Sequence, residues 1–217
     1  MGGSETQLYF EALSVQDFRN PTWVEKDLYT VHSGRWCLGK DGTVYAAQER
    51  NKYAITVYDS RGQAELIISK EEKPYQRTGK EKEQVAANAR FRGRRAPHTF
   101  SVEVEDTEPA ISSLRVDETG QLWVLSSRGD RNQPEGILCS YDVFARQGQY
   151  VQRIQVVCPG DTRQDRLVFL GNGLVIQITD LTDALNVMRG RLDPTNEDSE
   201  EDTEGAPMEI ICYRIGS

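Results

Sequence analysis

The chain has 217 residues and carries 26 Lys and Arg against 34 Asp and Glu, a formal net charge of −8. A pI near 5.0 and a mean hydropathy of −0.61 describe a polar globular protein, long enough to bury a core in one or two domains. The acidic balance argues against binding a phosphate backbone, which needs a basic face, and no apolar run approaches the roughly 20 residues that span a bilayer.

The opening MGGSETQLYF has neither a basic n-region nor an apolar h-region, so no signal peptide is expected and residues 1–6 read as a flexible N-terminus. Residues 7–15, QLYFEALSV, read as one isolated strand with no partner nearby. After a loop containing Pro21, four strands are expected near Tyr29–Leu38, Thr43–Gln48, Ala54–Tyr58 and Ala64–Ser69. Tight turns fall at Lys40-Asp41-Gly42 and Asp59-Ser60-Arg61-Gly62. Residues 71–109 form an insertion too long for a simple connection. Its stretch from Lys73 to Arg92 suits a short helix that starts at Thr78. Arg90, Arg92, Arg94 and Arg95 then make a basic knot, read as a solvated helix end in preference to an anion or partner contact.

The run from Ala110 to Val156 holds four more strands, split by turns at Asp117-Glu118-Thr119-Gly120 and Arg146-Gln147-Gly148. CLGKDGTVYAAQ is echoed by LRVDETGQLWVLS, and ITVYDSRGQAELII by CSYDVFARQGQYVQRI, with Tyr-Asp ahead of the second turn and Gly-Gln after it. Four short strands in about 45 residues, repeated, are the pattern of a β-propeller blade. A third unit begins near Arg166, with two strands around Gly171-Asn172-Gly173. After a long acidic loop over residues 180–207, the strand MEIICYRI closes it. The acidic run from Glu197 to Asp202 has no EF-hand spacing and reads as a self-repelling loop. The expected fold class is therefore all-β: about three four-stranded antiparallel blades, in a single domain over 1–217, with one short helical insertion.

DGTVYAAQERNKYAITVYDSRGQ, the helical insert, EPAISSLRVDETGQLWVLS and the terminal ICYRI, in that order and spacing, resemble bacterial six-bladed β-propeller proteins of the NHL-like type. The resemblance covers about residues 30–215 and matches the C-terminal half of such proteins, so the three further blades of a six-bladed ring are missing ahead of residue 30. It implies a propeller fold. Members of the group are often exported to the periplasm and mostly have no assigned activity; the residues themselves assign no compartment.

Three blades span half a ring and leave the outer faces of the first and last uncovered. The third unit also has an open edge, its fourth strand being absent. One solution is a homodimer in which each N-terminal strand completes the partner's last blade. The other is that a different chain, or the rest of a longer one, supplies the missing half.

In a blade of this order, the turns KDG, DSRG, DETG, ARQG and GNG share one end. Every long connection (Glu49–Lys52, 71–109, Arg128–Glu135, Cys158–Asp165 and 180–207) lies at the other, where binding is expected. Candidate contacts there are Glu49, Arg50, Asn51, Arg128, Asp130, Arg131 and Asn132, with Asp180 and Asp183 beyond them. Two readings follow. The first is a non-catalytic binding or assembly scaffold that uses this face for protein contacts, with no cofactor, no metal and no catalytic residue. The second is a metal-dependent hydrolase or lyase resembling gluconolactonase-like propellers, in which Glu, Asn and Asp near the axis hold the metal. There is no nucleophile elbow and no glycine-rich phosphate loop. Cys37, Cys139, Cys158 and Cys212 form no CxxC pair, and His32 and His98 are the only histidines, so structural zinc is not expected. Cys37, Cys139 and Cys212 sit in apolar strands and read as buried thiols, with a disulfide open if the protein is exported. Trp123 reads as packing.

Overall fold

The computed structural model describes residues 8–9, 22–29, 34–92, 101–131, 133–188 and 207–214. The fold is mostly β, with several antiparallel sheets and few helices. Two compact units are present. One comprises residues 1–132 and 140–154, the other residues 133–139 and 155–217.

In the first unit, β1 (Thr22–Val24) leads into a 3-10 turn at Glu25–Leu28. Next come β2 (Trp36–Leu38), β3 (Val44–Ala46), β4 (Ala54–Tyr58) and β5 (Ala64–Ser69), which form a four-stranded antiparallel sheet in chain order. The insertion contains α1 (Gly79–Arg92) and β6 (Ser101–Glu103), the latter paired in parallel with β1. A second four-stranded sheet repeats the same order with β7 (Ile111–Val116), β8 (Leu122–Ser126), β9 (Ile137–Phe144) and β10 (Tyr150–Val157). A helical turn, α2 (Ser127–Asp130), separates β8 from β9. Residues 137–139 of β9 and 155–157 of β10 belong to the second unit, and the rest of both strands to the first. The second unit adds β11 (Arg166–Gly171), β12 (Leu174–Ile178), α3 (Leu181–Met188) and β13 (Ile210–Arg214), with a three-stranded sheet in the order β11-β12-β13.

The hairpin turns of the two four-stranded sheets share one plan. The amides of Gly39, Asp59, Asp117 and Ala145 each donate to the carbonyl four residues on, and Gly42, Gly62, Gly120 and Gly148 each donate back to the start of their turn. Those four glycines have φ of 85°, 78°, 85° and 81°, a left-handed conformation that disfavours a side chain. Asp59 and Asp117 strengthen their turns further: Oδ1 of each accepts the amides two and four residues on.

This plan also corrects the repeat. With the turns superposed, Asp59 matches Ala145 and Tyr58 matches Phe144, so Tyr58-Asp59 and Tyr141-Asp142 lie three residues out of register. Asp59 opens a turn, whereas Asp142 is buried in the middle of β9.

The strand register sorts the residues of the first sheet onto two faces. Cys37, Tyr45, Val57 and Leu66 stand in one row, and Ile55 pairs with Ile68 on the same side. This face packs against Ile111, Leu114, Leu122, Val124 and Phe144 of the second sheet, forming the main core. The first strands of the two sheets lie side by side: Leu114 N donates to the Gly34 carbonyl at 2.8 Å, and Arg35 Nε to the Ile111 carbonyl at 3.1 Å. Their tight turns meet as well, through Arg146 with Asp41 (2.5 Å) and Lys40 Nζ with the Glu118 carbonyl (3.4 Å). In the second sheet β8 is buried at every position, as a strand covered on both faces must be.

The opposite face of the first sheet is different. Val44, Ala46 and Tyr58 are buried there beneath Tyr9, whose ring meets Tyr58 edge-on at 6.1 Å. Trp36, Leu38 and Ile67 share that face and remain 45%, 58% and 66% exposed.

Several expectations need correction. The helical insertion is real, and Thr78 caps it: Thr78 N donates to Glu81 Oε2 at 2.8 Å while Glu81 N donates to Thr78 Oγ1 at 3.3 Å, a reciprocal capping box. It is not the single helical segment, because α2 and α3 occupy connections whose composition reads as loop. The excursion over 180–207 opens as α3, whose Leu181, Ala184 and Leu185 recur at helical spacing; residues 189–206, including the acidic run, lie outside the described residues. Of the strand expected at 7–15 only Leu8 and Tyr9 are described, and they are not in a strand. The first strand of the first sheet is confined to Trp36–Leu38, and Tyr29 instead ends the 3-10 turn. Among the described residues the third sheet has three strands, the number read for this unit from the sequence. Arg94, Arg95, His32 and His98 lie outside the described residues.

Candidate functional site

Antiparallel meanders place the ends of β3, β5 and β8 and the starts of β4, β7 and β9 together, so the long connections of the first unit gather at one end. Backbone bonds tie them there. Ala110 N donates to the Arg50 carbonyl (2.6 Å), Ser127 N to the Ala110 carbonyl (3.0 Å), and Glu108 N to the Tyr75 carbonyl (3.0 Å). Tyr75 N donates to Ser127 Oγ at 3.0 Å.

Arg50 and Arg77 are the centre of this end, with side chains only 7% and 4% exposed. Their shared counter-ion is Glu25, from the 3-10 turn. Arg77 grips it with two bonds, Nη1 to Oε2 at 2.6 Å and Nη2 to Oε1 at 2.8 Å. Arg50 Nη2 reaches Oε1 at 3.1 Å, and the Glu105 amide donates to Oε2 at 3.0 Å. Arg77 Nη2 also pairs with Glu108 at 2.9 Å. Arg50 spends its remaining donors on Asn51 Oδ1 (2.9 Å), the Thr107 carbonyl (2.6 Å) and Thr107 Oγ1 (3.4 Å). Burial by itself would raise the pKa of Glu25, but the Arg77 hydrogen bonds, the Glu105 amide and the two guanidinium charges outweigh it and hold the carboxyl below its ordinary value. Burial likewise works against the Arg77 cation, and the bonds to Glu25 and Glu108 more than offset it.

A second cluster crosses between the sheets at their shared core. Asp142, 2% exposed, accepts from Tyr53 Oη (3.1 Å), Lys70 Nζ (2.9 Å) and Arg153 Nε (3.0 Å). Lys70 also bonds Glu72 at 2.7 Å. Burial opposes ionisation of Asp142, and the hydrogen bonds from Lys70 and Arg153 reverse the balance, so its pKa is lowered. Burial, then the Asp142 charge, push the Tyr53 phenol far up, which keeps it a protonated donor. The second unit has its own network. Gln177, fully buried, donates to the Pro159 carbonyl (2.7 Å) and Asp165 Oδ2 (2.8 Å) and accepts from Tyr213 Oη (3.0 Å).

The residues singled out by sequence do not converge on one point. Glu49 is exposed and pairs with Lys52 at 2.5 Å. Arg50 and Asn51 belong to the Glu25 cluster. Arg128 donates Nε to the Lys73 carbonyl at 2.6 Å. Asp130 accepts from Ser112 Oγ at 3.2 Å and lies 3.6 Å from Arg131. Asn132 lies outside the described residues. In the second unit, Asp180 takes a left-handed backbone, φ 49°, with its amide donating to Asp165 Oδ1 at 3.0 Å, and Asp183 sits in the first turn of α3. Among the described residues no group of three or more His, Cys, Asp or Glu side chains is placed to hold a metal ion. Chemically, the two clusters are cross-links: the carboxyls of Glu25 and Asp142 are held ionised by the cations bonded to them, and the Tyr53 phenol is held neutral.

Sequence reading missed Glu25, Arg77, Thr107 and Glu108, which share a cluster with Arg50, because they lie 25 to 58 residues from it and obey no spacing. Asp142 carried a usable signal. A carboxylate inside the apolar run CSYDVF needs a buried partner, and aligning the repeat on its glycines would have isolated it. Compared with known proteins, the chain matches no family model and no curated sequence.

Proposed function

We propose that this chain is a non-catalytic scaffold of β-propeller type. It supplies three blades, half of a six-bladed ring of the NHL-like kind, and works by binding protein. A second copy or another protein chain completes the ring, and the end carrying the long connections is the surface offered to further partners. The observation that carries this reading is the outer face of the first sheet, where Trp36, Leu38 and Ile67 stand half exposed beside buried Val44, Ala46 and Tyr58. A sheet with one face in the core and an apolar opposite face left open is built to receive another layer. Fully burying a Leu or Ile contributes about 1.5–3 kcal/mol, so finishing the burial of these three contributes about 3 kcal/mol per copy.

Three further features support it. Two four-stranded meanders follow one another with the same turn plan. Their first strands and their tight turns lie together, as in adjacent blades. The charged residues at the long-connection end are paired with one another, which gives those loops a fixed shape for recognition and leaves Glu49, Asn51 and Arg128 exposed on it. Metal analysis of protein purified without chelator tests the reading against a metal-dependent hydrolase. No stoichiometric metal is expected, whereas about one equivalent of calcium or zinc would overturn it.

A further inference from the structure

We infer that Leu8 and Tyr9 form a strap across the outer face of the first sheet, one that a second copy displaces when the two half-rings pair; this rests on the half-ring reading above. Strand register places Trp36, Ala46, Thr56 and Ile67 in one row of that face and Leu38, Val44, Tyr58 and Ala64 in the next. Burial along these rows is uneven. Tyr58 is buried, although Thr56, two residues earlier on the same inner strand and the same face, is only half-buried. Side-chain size works the other way, since a tyrosine stands further out of a sheet than a threonine. The difference is Tyr9. Its ring meets the Tyr58 ring edge-on, with centroids 6.1 Å apart and planes at 87°, in one cluster with Val44 and Ala46. Tyr58 is a fixed seat for it, because its Oη donates to Gln48 Oε1 at 3.1 Å. Leu8 is 67% exposed, so of these two residues Tyr9 supplies the apolar hold.

The strap and a second sheet cannot share this face. Packed sheets lie about 10 Å apart, and side chains alone fill the gap between them. The Tyr9 ring fills that gap over Tyr58, and its own main chain stands one side chain's length further out, in the layer where the backbone of a second sheet would run. Half-exposed Trp36, Leu38 and Ile67 beside it are the part of the face from which an incoming sheet can start. An edge-on aromatic pair biases the strap toward its seat by roughly tenfold. A face that is clear in only a fraction of molecules binds with a dissociation constant raised by that fraction. Under a two-fold axis each copy clears its own strap, so the two biases multiply to roughly a hundredfold. The device shields part of an apolar face in the single chain, where it would otherwise associate without selection, and yields it to a sheet that covers all of it.

Tyr9→Ala and Tyr9→Phe in the full chain test it, with the mass in solution followed by light scattering over a dilution series. The expected result is that Tyr9→Ala keeps its two-chain mass down to concentrations roughly 10- to 100-fold below those at which the unaltered chain dissociates. Tyr9→Phe retains the ring and should dissociate where the unaltered chain does. A Tyr9→Ala protein that dissociates at the same or a higher concentration than the unaltered chain would overturn the strap and leave the pairing of half-rings standing. One-chain masses for the unaltered chain and for Tyr9→Ala at every concentration would overturn the strap together with the two-copy ring on which it rests.

Discussion

Glu25→Gln is the sharpest perturbation of the first unit. Each carboxylate oxygen of Glu25 accepts two bonds: Oε1 from Arg50 and Arg77, Oε2 from Arg77 and the Glu105 amide. An amide must turn its NH2 group toward one of those donor pairs. Two hydrogen bonds are lost, donors face donors, and two guanidinium groups 7% and 4% exposed lose their common counter-ion. Breaking a buried pair by removing one partner costs about 3–5 kcal/mol. Glu49→Gln is the control: its partner Lys52 is 68% exposed, and such surface pairs contribute about 0–1 kcal/mol. All three tryptophans, Trp23, Trp36 and Trp123, belong to the first unit, so urea unfolding followed by tryptophan fluorescence reports the unit that holds Glu25. Protein concentration is held constant because association adds to apparent stability. A cost for Glu25→Gln no larger than that for Glu49→Gln would refute the reasoning. The double variant Glu25→Gln, Arg77→Met should cost less than the sum of its singles, since the second change removes a cation that the first left unpaired.

Three other outcomes follow from the same physics. Glu25 and Asp142 have depressed pKa values, so their contribution to stability is complete above the ordinary values of 4.5 and 3.8 and is lost as pH falls through the lower folded values. Urea midpoints should therefore drop steeply below about pH 4.5, with a shallower fall in Glu25→Gln; an equal fall in both proteins would contradict the assignment. Gly129→Ala places a Cβ 2.2 Å from the Ser140 carbonyl oxygen, a backbone atom of β9 that cannot yield, and should destabilise by about 1–3 kcal/mol in the same assay. Burial pushes the Cys37 thiol up to about 12, and Cys139 is 1% exposed, so neither should react with a thiol reagent near neutral pH until the protein unfolds; rapid labelling of Cys37 in native protein would contradict its burial.

The parts of this fold that local chemistry dictates are legible in the chain. Gly42, Gly62, Gly120 and Gly148 punctuate the hairpins because a left-handed residue is needed there, and β4 alternates because Ile55 and Val57 turn one face to the core. Thr78 and Glu81 announce α1 by the same kind of local bonding. What escaped was non-local. Arg50 looks like an exposed loop residue beside Glu49 and Asn51; only the folded chain brings Glu25 and Thr107 to it and turns it inward. The repeat was visible but misaligned, since Tyr-Asp occurs in both halves for different reasons, opening a turn at Asp59 and pairing Lys70 with Arg153 at Asp142. The helix α3 was hidden by the acidic residues that follow it, although Leu181, Ala184 and Leu185 carry its spacing.

The mass in solution bears on the half-ring directly. Multi-angle light scattering on the full chain at micromolar concentration should return two chains per particle, held through the open face bearing Trp36, Leu38 and Ile67. A particle of one chain that stays compact and does not associate would mean that no second copy covers this face, and the two-copy ring would fall with it.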